Sequence, residues 1–515
     1  MRRTVPRKSW PLLALAFVAL SSSDVASQAA EPAIPRVATL VGPGPRFVVT
    51  QSDAWVDGVA GSATETLDLA TGRYAEQIHA GTASYGDGFD GAHRWSNDAS
   101  GMPVIDDTSD GALDARVWAH LFGRKGPEHL IARALPSDGM HERLRIRYGA
   151  LTGPVDITLD LPQLHVSRID DFSGATPSSA RYSDYRVAGN AIIPFRTDMA
   201  NGYSTTRLRV RSVRDLVMVS KRAFAPPAAP RDAELDGITA VPLDLRHHQV
   251  IVPIRIDQGP TLEVLFDSGS TNYLSPRAAR LLGLPVVGSA KSGGFGAGKV
   301  EQRYTLARRL RIGRAELRDI PFNVLDDGSP DTDGAIGCEI LLRFAVRFDF
   351  RRQIVQLARD RRSLGDLGTP LPIRTGSCQA ETDATIDGLR GQIGIDTGSA
   401  TGVDIMTPFV NGHRLIKHYW AWRSIAGSGI GGSTRELLAH ANVFALGPFT
   451  LRDVGLGLGT MTQGAFADPT MMANVGIPVL SRFNVTLDYR SHRMWLDPVA
   501  PLYGIPYEIP YQRSR

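Results

Sequence analysis

The sequence predicts a mostly β protein in which a curved antiparallel sheet domain precedes two similar lobes. Three observations carry this expectation. Apolar and polar residues alternate with period two over many short segments, which puts one face of each strand in a core and the other in water. Fifty-two glycines and 33 prolines are spread along 515 residues, and that density of turn residues favours short strands. The C-terminal half also repeats itself once.

A chain of 515 residues exceeds one compact core, so several domains are expected. Arg2, Arg3, Arg7 and Lys8 precede an apolar run from Trp10 to Leu20, followed by small and polar residues through Ala29 and Ala30. This layout predicts a secretory signal over residues 1–30 and an exported protein, periplasmic or secreted. The run is short for a bilayer span, so no stable membrane insertion is expected after signal removal. Residues 35–222 form the β-rich N-terminal domain. Alternation is clear in 46–50, 64–69, 144–148, 155–161 and 206–210, and a helix is expected near 113–121. Pro226, Pro227 and Pro230 mark a stiff linker over 223–236. Lobe 1 then covers 237–362, lobe 2 covers 366–500, and 501–515 is a tail.

Composition excludes several function classes. Lys plus Arg number 57 against 53 Asp plus Glu, and the arginines are scattered among acids rather than clustered, so no nucleic-acid partner is expected. Cys338 and Cys378 either pair in an oxidising compartment or stay as two buried thiols. Two cysteines with no histidine at ligand spacing do not make a zinc site, and neither a metal nor another cofactor is expected. Asp87 and Asp90 lie in a glycine-rich turn without the distal glutamate of a calcium loop. The acidic loop 326–333 reads as a solvated loop. His247 and His248 are expected on an exposed strand edge. Neither glycine-rich run has the Lys-Ser/Thr ending of a phosphate loop.

The repeat concentrates the chemistry. Val264-Leu-Phe-Asp267-Ser268-Gly269-Ser270 delivers an aspartate from an apolar run into a Ser/Gly turn. Ile393-Gly-Ile-Asp396-Thr397-Gly398-Ser399 does so again. Each aspartate follows a proline of the lobe's opening strand, at 25 residues from Pro242 and 26 from Pro370. Each lobe then carries a glycine-rich stretch, 293–298 and 427–432, and closes on a block that aligns without gaps, 337–351 on 476–490. One such tetrapeptide arises by chance in about a few per cent of chains this long. Two at matched places point to duplication of a functional loop. A lone Asp-Ser-Gly is also an ordinary turn whose carboxylate bonds backbone N–H groups.

Each position has a chemical reason. Asp267 and Asp396 supply carboxylates that face each other across a pseudo-twofold and share a proton. Gly269 and Gly398 allow a sharp turn and close approach of the partner loop. Ser268 and Thr397 bond across to the opposite loop, and Ser270 and Ser399 offer hydroxyls to the outer carboxylate oxygens. A dyad holding one proton can activate a water with one carboxylate and protonate a carbonyl oxygen with the other.

These loops resemble the aspartic peptidases, in particular the retropepsin-like group, whose lobes each join an Asp-Ser/Thr-Gly loop, a glycine-rich flap and a later apolar-apolar-Gly element. Here the last would be Ala335-Ile-Gly337 and Asn474-Val-Gly476, with Asn474 where an apolar residue is usual. The resemblance implies a bilobal acid-peptidase-like β-barrel pair, a polypeptide substrate and endopeptidase activity. It implies flaps at Gly294, Phe295 and Gly296 and at Gly429, Ile430 and Gly431. In the first region 68–74, 86–91 with Trp95, and 182–194 are similar to the lipoprotein-carrier (LolA-like) half-barrel group, which implies an apolar concavity and a lipid or other apolar ligand. A noncatalytic peptide- or lipid-binding protein on this scaffold is the competing reading.

Overall fold

The computed structural model describes residues 36–106, 131–147, 153–172, 176–220, 222–376 and 378–508. The expected signal segment and the expected helix near 113–121 lie outside the described residues.

The protein is mostly β. Its first region is one long antiparallel sheet. From Pro103–Asp106 at one edge it passes hairpin by hairpin to Phe47–Val56, pairs there with Thr205–Leu216, and returns to Ile131–Asp138 at the other edge. In Phe47–Val56 alternation holds only from Gln51 on, where Ala54 and Val56 join a core with Ala63 and Ile78, whereas Phe47 to Thr50 are buried on both faces. The concave side encloses a cavity of about 320 Å³.

The proline-rich segment is anchored at both ends. Phe224 is buried beside Phe47, and its carbonyl accepts the Trp95 indole N–H at 2.8 Å. Ala233–Glu234 then joins lobe 1 as an edge strand on Ala315–Leu325. Its three prolines precede that short strand, which suits residues that cannot donate to a ladder.

The two lobes share one topology. In lobe 1 the strand order is Val287–Ser292, Val300–Ile312, Ile251–Ile256, Thr261–Phe266, Gly334–Ile336, Tyr273–Leu274, Ala315–Leu325. In lobe 2 it is Ser424–Gly429, Gly432–Leu446, Ala380–Ile386, Leu389–Ile395, Ala473–Val475, Val403–Ile405, Phe449–Gly459. In both, the second strand also pairs with the last, which curls the sheet toward a barrel. Residues 501–508, expected in a tail outside lobe 2, instead extend it. Tyr503–Ile505 pairs in parallel with Phe449–Gly459, because the latter strand still has a free edge there.

A six-stranded sheet joins the lobes, with three strands from each. Its centre is the antiparallel pair Ala345–Asp349 and Phe483–Asp488, in which Arg347 faces Thr486. Those two residues are equivalent in the gapless alignment of the closing blocks, so the pseudo-twofold axis passes through their pair. Phe266, the residue before Asp267, is fully buried edge-on to Phe348 of this central strand at 5.1 Å. One apolar core runs through both lobes and the joining sheet. The Cys338–Cys378 disulfide, with Cα atoms 5.6 Å apart, ties the lobe 1 closing block to the start of lobe 2.

Candidate functional site

Each candidate aspartate sits just past the end of a buried strand, Thr261–Phe266 or Leu389–Ile395. The following turn leaves the sheet because the strand from the apolar-apolar-Gly element pairs in parallel alongside and ends the ladder. Asp267 N donates to Ile336 O and Asp396 N to Val475 O, both at 2.9 Å. The two loops then meet across the lobe boundary. Thr397 Oγ1 accepts from Ser268 N at 3.0 Å and donates to Phe266 O at 2.6 Å. Ser268 Oγ accepts from Thr397 N at 3.0 Å and donates to Ile395 O at 2.8 Å. Ser268 and Thr397 are completely buried. Each hydroxyl therefore satisfies one donor and one acceptor of the facing loop, and losing either leaves buried backbone groups unpaired.

The glycines let the carboxylates approach. A Cβ on Gly398 would collide with the Asp267 carboxylate, and one on Gly269 would lie 3.2 Å from Asp396 Cγ. Their N–H groups cap the aspartates of their own loops: Gly269 N to Asp267 Oδ1 at 2.8 Å, and Gly398 N to Asp396 Oδ1 at 2.9 Å. Burial, together with the adjacent Asp396 charge, raises the Asp267 carboxyl well above the usual carboxylate range.

Two sequence-based expectations are corrected here. Ser270 and Ser399 do not donate to the outer carboxylate oxygens. Ser270 Oγ donates to Thr271 O at 2.9 Å, and Ser399 Oγ pairs with Thr401 Oγ1 at 2.8 Å. Acceptors one or two residues away capture short hydroxyls before they reach across the turn. His247 and His248 belong to a 3-10 turn, Arg246–His248, rather than a strand edge, and His248 adopts a positive φ of 61° there.

Asn474 and two glutamines do what the sequence did not signal. Asn474 is buried, and its Nδ2 donates to Asp396 Oδ2 at 2.8 Å. Gln379 Nε2 donates to Asn474 Oδ1 at 2.9 Å. Gln249 of lobe 1 donates to Gly398 O at 2.8 Å and so pins the second loop from across the boundary. The departure of Asn474 from an apolar pattern was visible in sequence, but its target was not.

The predicted flap residues come together. Gly296 N donates to Ile430 O at 3.1 Å, and Gly298 N to Gly431 O at 2.8 Å. Gly294 O accepts from Ala465 N at 2.9 Å, and Phe295 packs edge-on to Phe466 at 5.0 Å. Ile430 packs against a lobe 1 cluster of Ile251, Leu265, Tyr273, Leu325 and Ala335. The contacts Gly296–Gly431 are too close for side chains on either residue. A cleft of about 790 Å³ lies beside the Gly429–Gly432 tip, lined by Leu325–Gly328, Val300 and Arg303 of lobe 1, and neither Asp267 nor Asp396 lines it. The lobe 1 hairpin is also strapped to the first region: Tyr304 OH donates to Asp57 Oδ2 at 2.5 Å, and Lys299 Nζ to Gly202 O at 2.9 Å.

Other acidic groups have local duties. Asp87 accepts from Tyr74 and Arg94, Asp90 caps the N–H groups of Ala92 and His93, and Asp333 pairs with Arg277 at 2.8 Å. Among the described residues no group of three or more His, Cys, Asp or Glu is arranged to hold a metal, and no helix is long and apolar enough to cross a membrane.

Residues 252–340 match the family model for aspartyl protease. The match covers the Asp267 loop, the lobe 1 hairpin and Ala335–Gly337, so lobe 1 is aspartyl-protease-like by sequence. Among curated proteins no relative matches the chain. Solved structures similar to it include a retropepsin-like aspartic protease from Rickettsia conorii, at 13% identity and a TM-score of 0.20, covering 25% of this chain and 89% of that one. Basic 7S globulin from soybean is similar at 11% identity and a TM-score of 0.33, over 51% of this chain and 97% of that one. A LolA superfamily protein from Nitrosomonas europaea is similar at 12% identity and a TM-score of 0.26, over 36% and 92%.

Proposed function

We propose that the chain is an exported aspartic endopeptidase whose Asp267/Asp396 dyad hydrolyses peptide bonds with an activated water. The observation that carries this reading is the reciprocal seating of two Asp-Ser/Thr-Gly loops from duplicated lobes, with the Asp267 carboxyl raised by burial and by the Asp396 charge beside it. One carboxylate takes a proton from water as its oxygen bonds to the carbonyl carbon. The protonated carboxyl gives its proton to the carbonyl oxygen, producing a gem-diol. Return of a proton from the gem-diol, with protonation of the amide nitrogen, breaks the C–N bond and restores the dyad's single proton. No covalent enzyme intermediate forms. The glycine-rich hairpins close over an extended polypeptide, which binds by main-chain hydrogen bonds as an added strand. Ser268, Gly269, Thr397 and Gly398 hold the dyad.

Export is supported by the Cys338–Cys378 bond, which persists in oxidising compartments. In this reading 35–222 is a β domain packed on lobe 1 through Met102 and Val104, 223–236 a linker, and 237–362 and 366–508 the lobes. A second, binding role for the first domain is favoured by its cavity, where Leu67, Ile193 and Leu208 meet Glu65, Glu76 and Tyr182. Its ligand would be apolar with a polar end, as a lipid is.

The test is titration of a statine-type peptide, which mimics the gem-diol, into wild type, Asp267→Asn and Asp396→Asn, alongside a peptide-cleavage assay. Tight binding lost in both variants, with competitive inhibition of cleavage, supports the reading. Equal binding to all three sinks it.

A further inference from the structure

The two lobes are equivalent in topology but not at one position beside the dyad. Ala335 of lobe 1 and Asn474 of lobe 2 occupy the same place on matched strands: Leu265 pairs with Ala335, and Gly394 with Asn474. Alanine offers Asp267 no donor. Asn474 gives Asp396 Oδ2 an amide N–H at 2.8 Å, while Gly398 N occupies Oδ1 at 2.9 Å. The two oxygens of Asp396 thus face fixed N–H donors, whereas Asp267 receives one, from Gly269 on Oδ1. Asp396 is the more deeply buried of the pair, which by itself disfavours its charge, so the second N–H donor has that penalty to offset.

We infer that Asn474, oriented by Gln379, is a positioning residue that keeps the dyad's proton on Asp267 and its negative charge on Asp396. This rests on the peptidase reading for its catalytic meaning, but not for its test. An amide N–H donates to a carboxylate oxygen and cannot accept a proton from a carboxylic acid, so it favours the ionised form of the group it touches. The orientation of the amide is fixed from behind. Gln379 Nε2 donates to Asn474 Oδ1, which turns Asn474 Nδ2 toward Asp396. Room for that glutamine exists because residue 394 is glycine: a Cβ there would lie 2.6 Å from Gln379 Nε2.

Of the titratable groups facing Asp396, the carboxyls oppose its charge whenever they are ionised. Asp267 faces it across the lobe boundary, Asp404 lies on Val403–Ile405, the strand beyond that of Asn474, and the buried Tyr489 phenol, which keeps its proton, follows the strand Phe483–Asp488. A neutral amide offsets those fields without adding a cation to the cleft. Roles follow directly. Asp396 accepts the proton of the attacking water, and Asp267 donates to the carbonyl oxygen. A symmetric dyad would leave this assignment to the substrate.

The test is Asn474→Ala, which makes lobe 2 resemble lobe 1 at this position, with Gln379→Met as a second variant that leaves Asn474 in place. The dyad is titrated by carboxyl ¹³C NMR of aspartate-labelled full-length protein, with signals assigned from Asp267→Asn and Asp396→Asn. The lower of the two dyad pKa values rises by about one to two pH units in Asn474→Ala, and by a smaller amount in Gln379→Met. The acid limb of the kcat/KM profile moves by the same amount while the alkaline limb stays. A folded Asn474→Ala protein with an unchanged lower value overturns the inference. If Asn474→Ala does not fold, an unchanged value in Gln379→Met overturns it. The NMR titration decides this even if no peptide is cleaved, in which case the peptidase reading fails by itself.

Discussion

Replacing Thr397 by valine removes a single hydroxyl from the junction between the lobes while keeping nearly the same side-chain shape. The hydroxyl makes two bonds, one accepted from Ser268 N at 3.0 Å and one donated to Phe266 O at 2.6 Å, and it is completely buried. Valine leaves a backbone donor and a backbone acceptor in the interior with one partner fewer each. A buried polar group stripped of its partner costs about 1–3 kcal/mol, so the substitution is expected to cost about 2–5 kcal/mol. In lobes of this size that lowers Tm by roughly 5–15 °C. The two aspartates are carried on the same loops, so activity should fall more steeply than stability. Thr397→Ser, which keeps the oxygen, restores most of both. Ser268→Ala should cost a similar amount, and the double variant less than the sum, because each hydroxyl seats the loop the other depends on. The assay is calorimetry of the four variants beside wild type. A Thr397→Val protein melting within about 1 °C of wild type would refute the reasoning that this junction holds the lobes in register.

Other outcomes follow from the same contacts. Gly398→Ala should fold but lose activity, since its methyl group collides with the Asp267 carboxylate; a crystal structure showing Asp267 displaced, with cleavage assays, checks this. Reduction of the Cys338–Cys378 bond, which closes 40 residues, should lower the urea midpoint by an amount equivalent to about 2–4 kcal/mol, read with and without reductant. Buried carboxyls make stability fall as pH rises. Desolvation lifts the buried Glu339 from 4.5 to about 7 and the buried Asp404 from 3.8 to about 7, and it lifts Glu65 from 4.5 to about 7 and Glu76 from 4.5 to about 8, both half-buried on the first region's cavity. A group raised on folding binds more protons in the native state, so its contribution is whole below its unfolded value and gone above its folded one. Melting temperatures should therefore decline between about pH 4.5 and pH 8; a rise across that window contradicts the burial of these groups. Asp57→Asn combined with Tyr304→Phe should speed hydrogen exchange in 287–304, because those side chains strap the lobe 1 hairpin to the first region.

The lobes and their aspartates were legible in the sequence because their signals are local. Asp267 and Asp396 each sit within a few residues of the apolar run and the glycine that define the loop, and duplication wrote the pattern twice. The Arg347–Thr486 pairing passes the symmetry axis through two residues that the gapless alignment makes equivalent. The rest depends on partners distant in sequence. Asn474 reaches Asp396 over 78 residues and Gln379 reaches Asn474 over 95, so neither contact has a local signature. Ser270 and Ser399 were assigned to the carboxylates on spacing alone, and nearer acceptors took them. The strand Tyr503–Ile505 has too few residues to show a period, and its place is set by the open edge of Phe449–Gly459. The first region's antiparallel hairpins were readable from alternation. Its attachment to the lobe 1 hairpin, by the Tyr304–Asp57 and Lys299–Gly202 bonds among others, joins residues 247 and 97 apart, and it was not.

The most direct test of the central claim is cleavage of a mixed peptide library by the full-length protein and by its Asp267→Asn and Asp396→Asn variants, each first confirmed to be folded. The wild type should cleave internal peptide bonds, and each variant should lose about 10²-fold or more, since each removes one half of the acid–base pair. A variant that retains wild-type turnover would contradict the account, as would a folded wild type that cleaves no peptide.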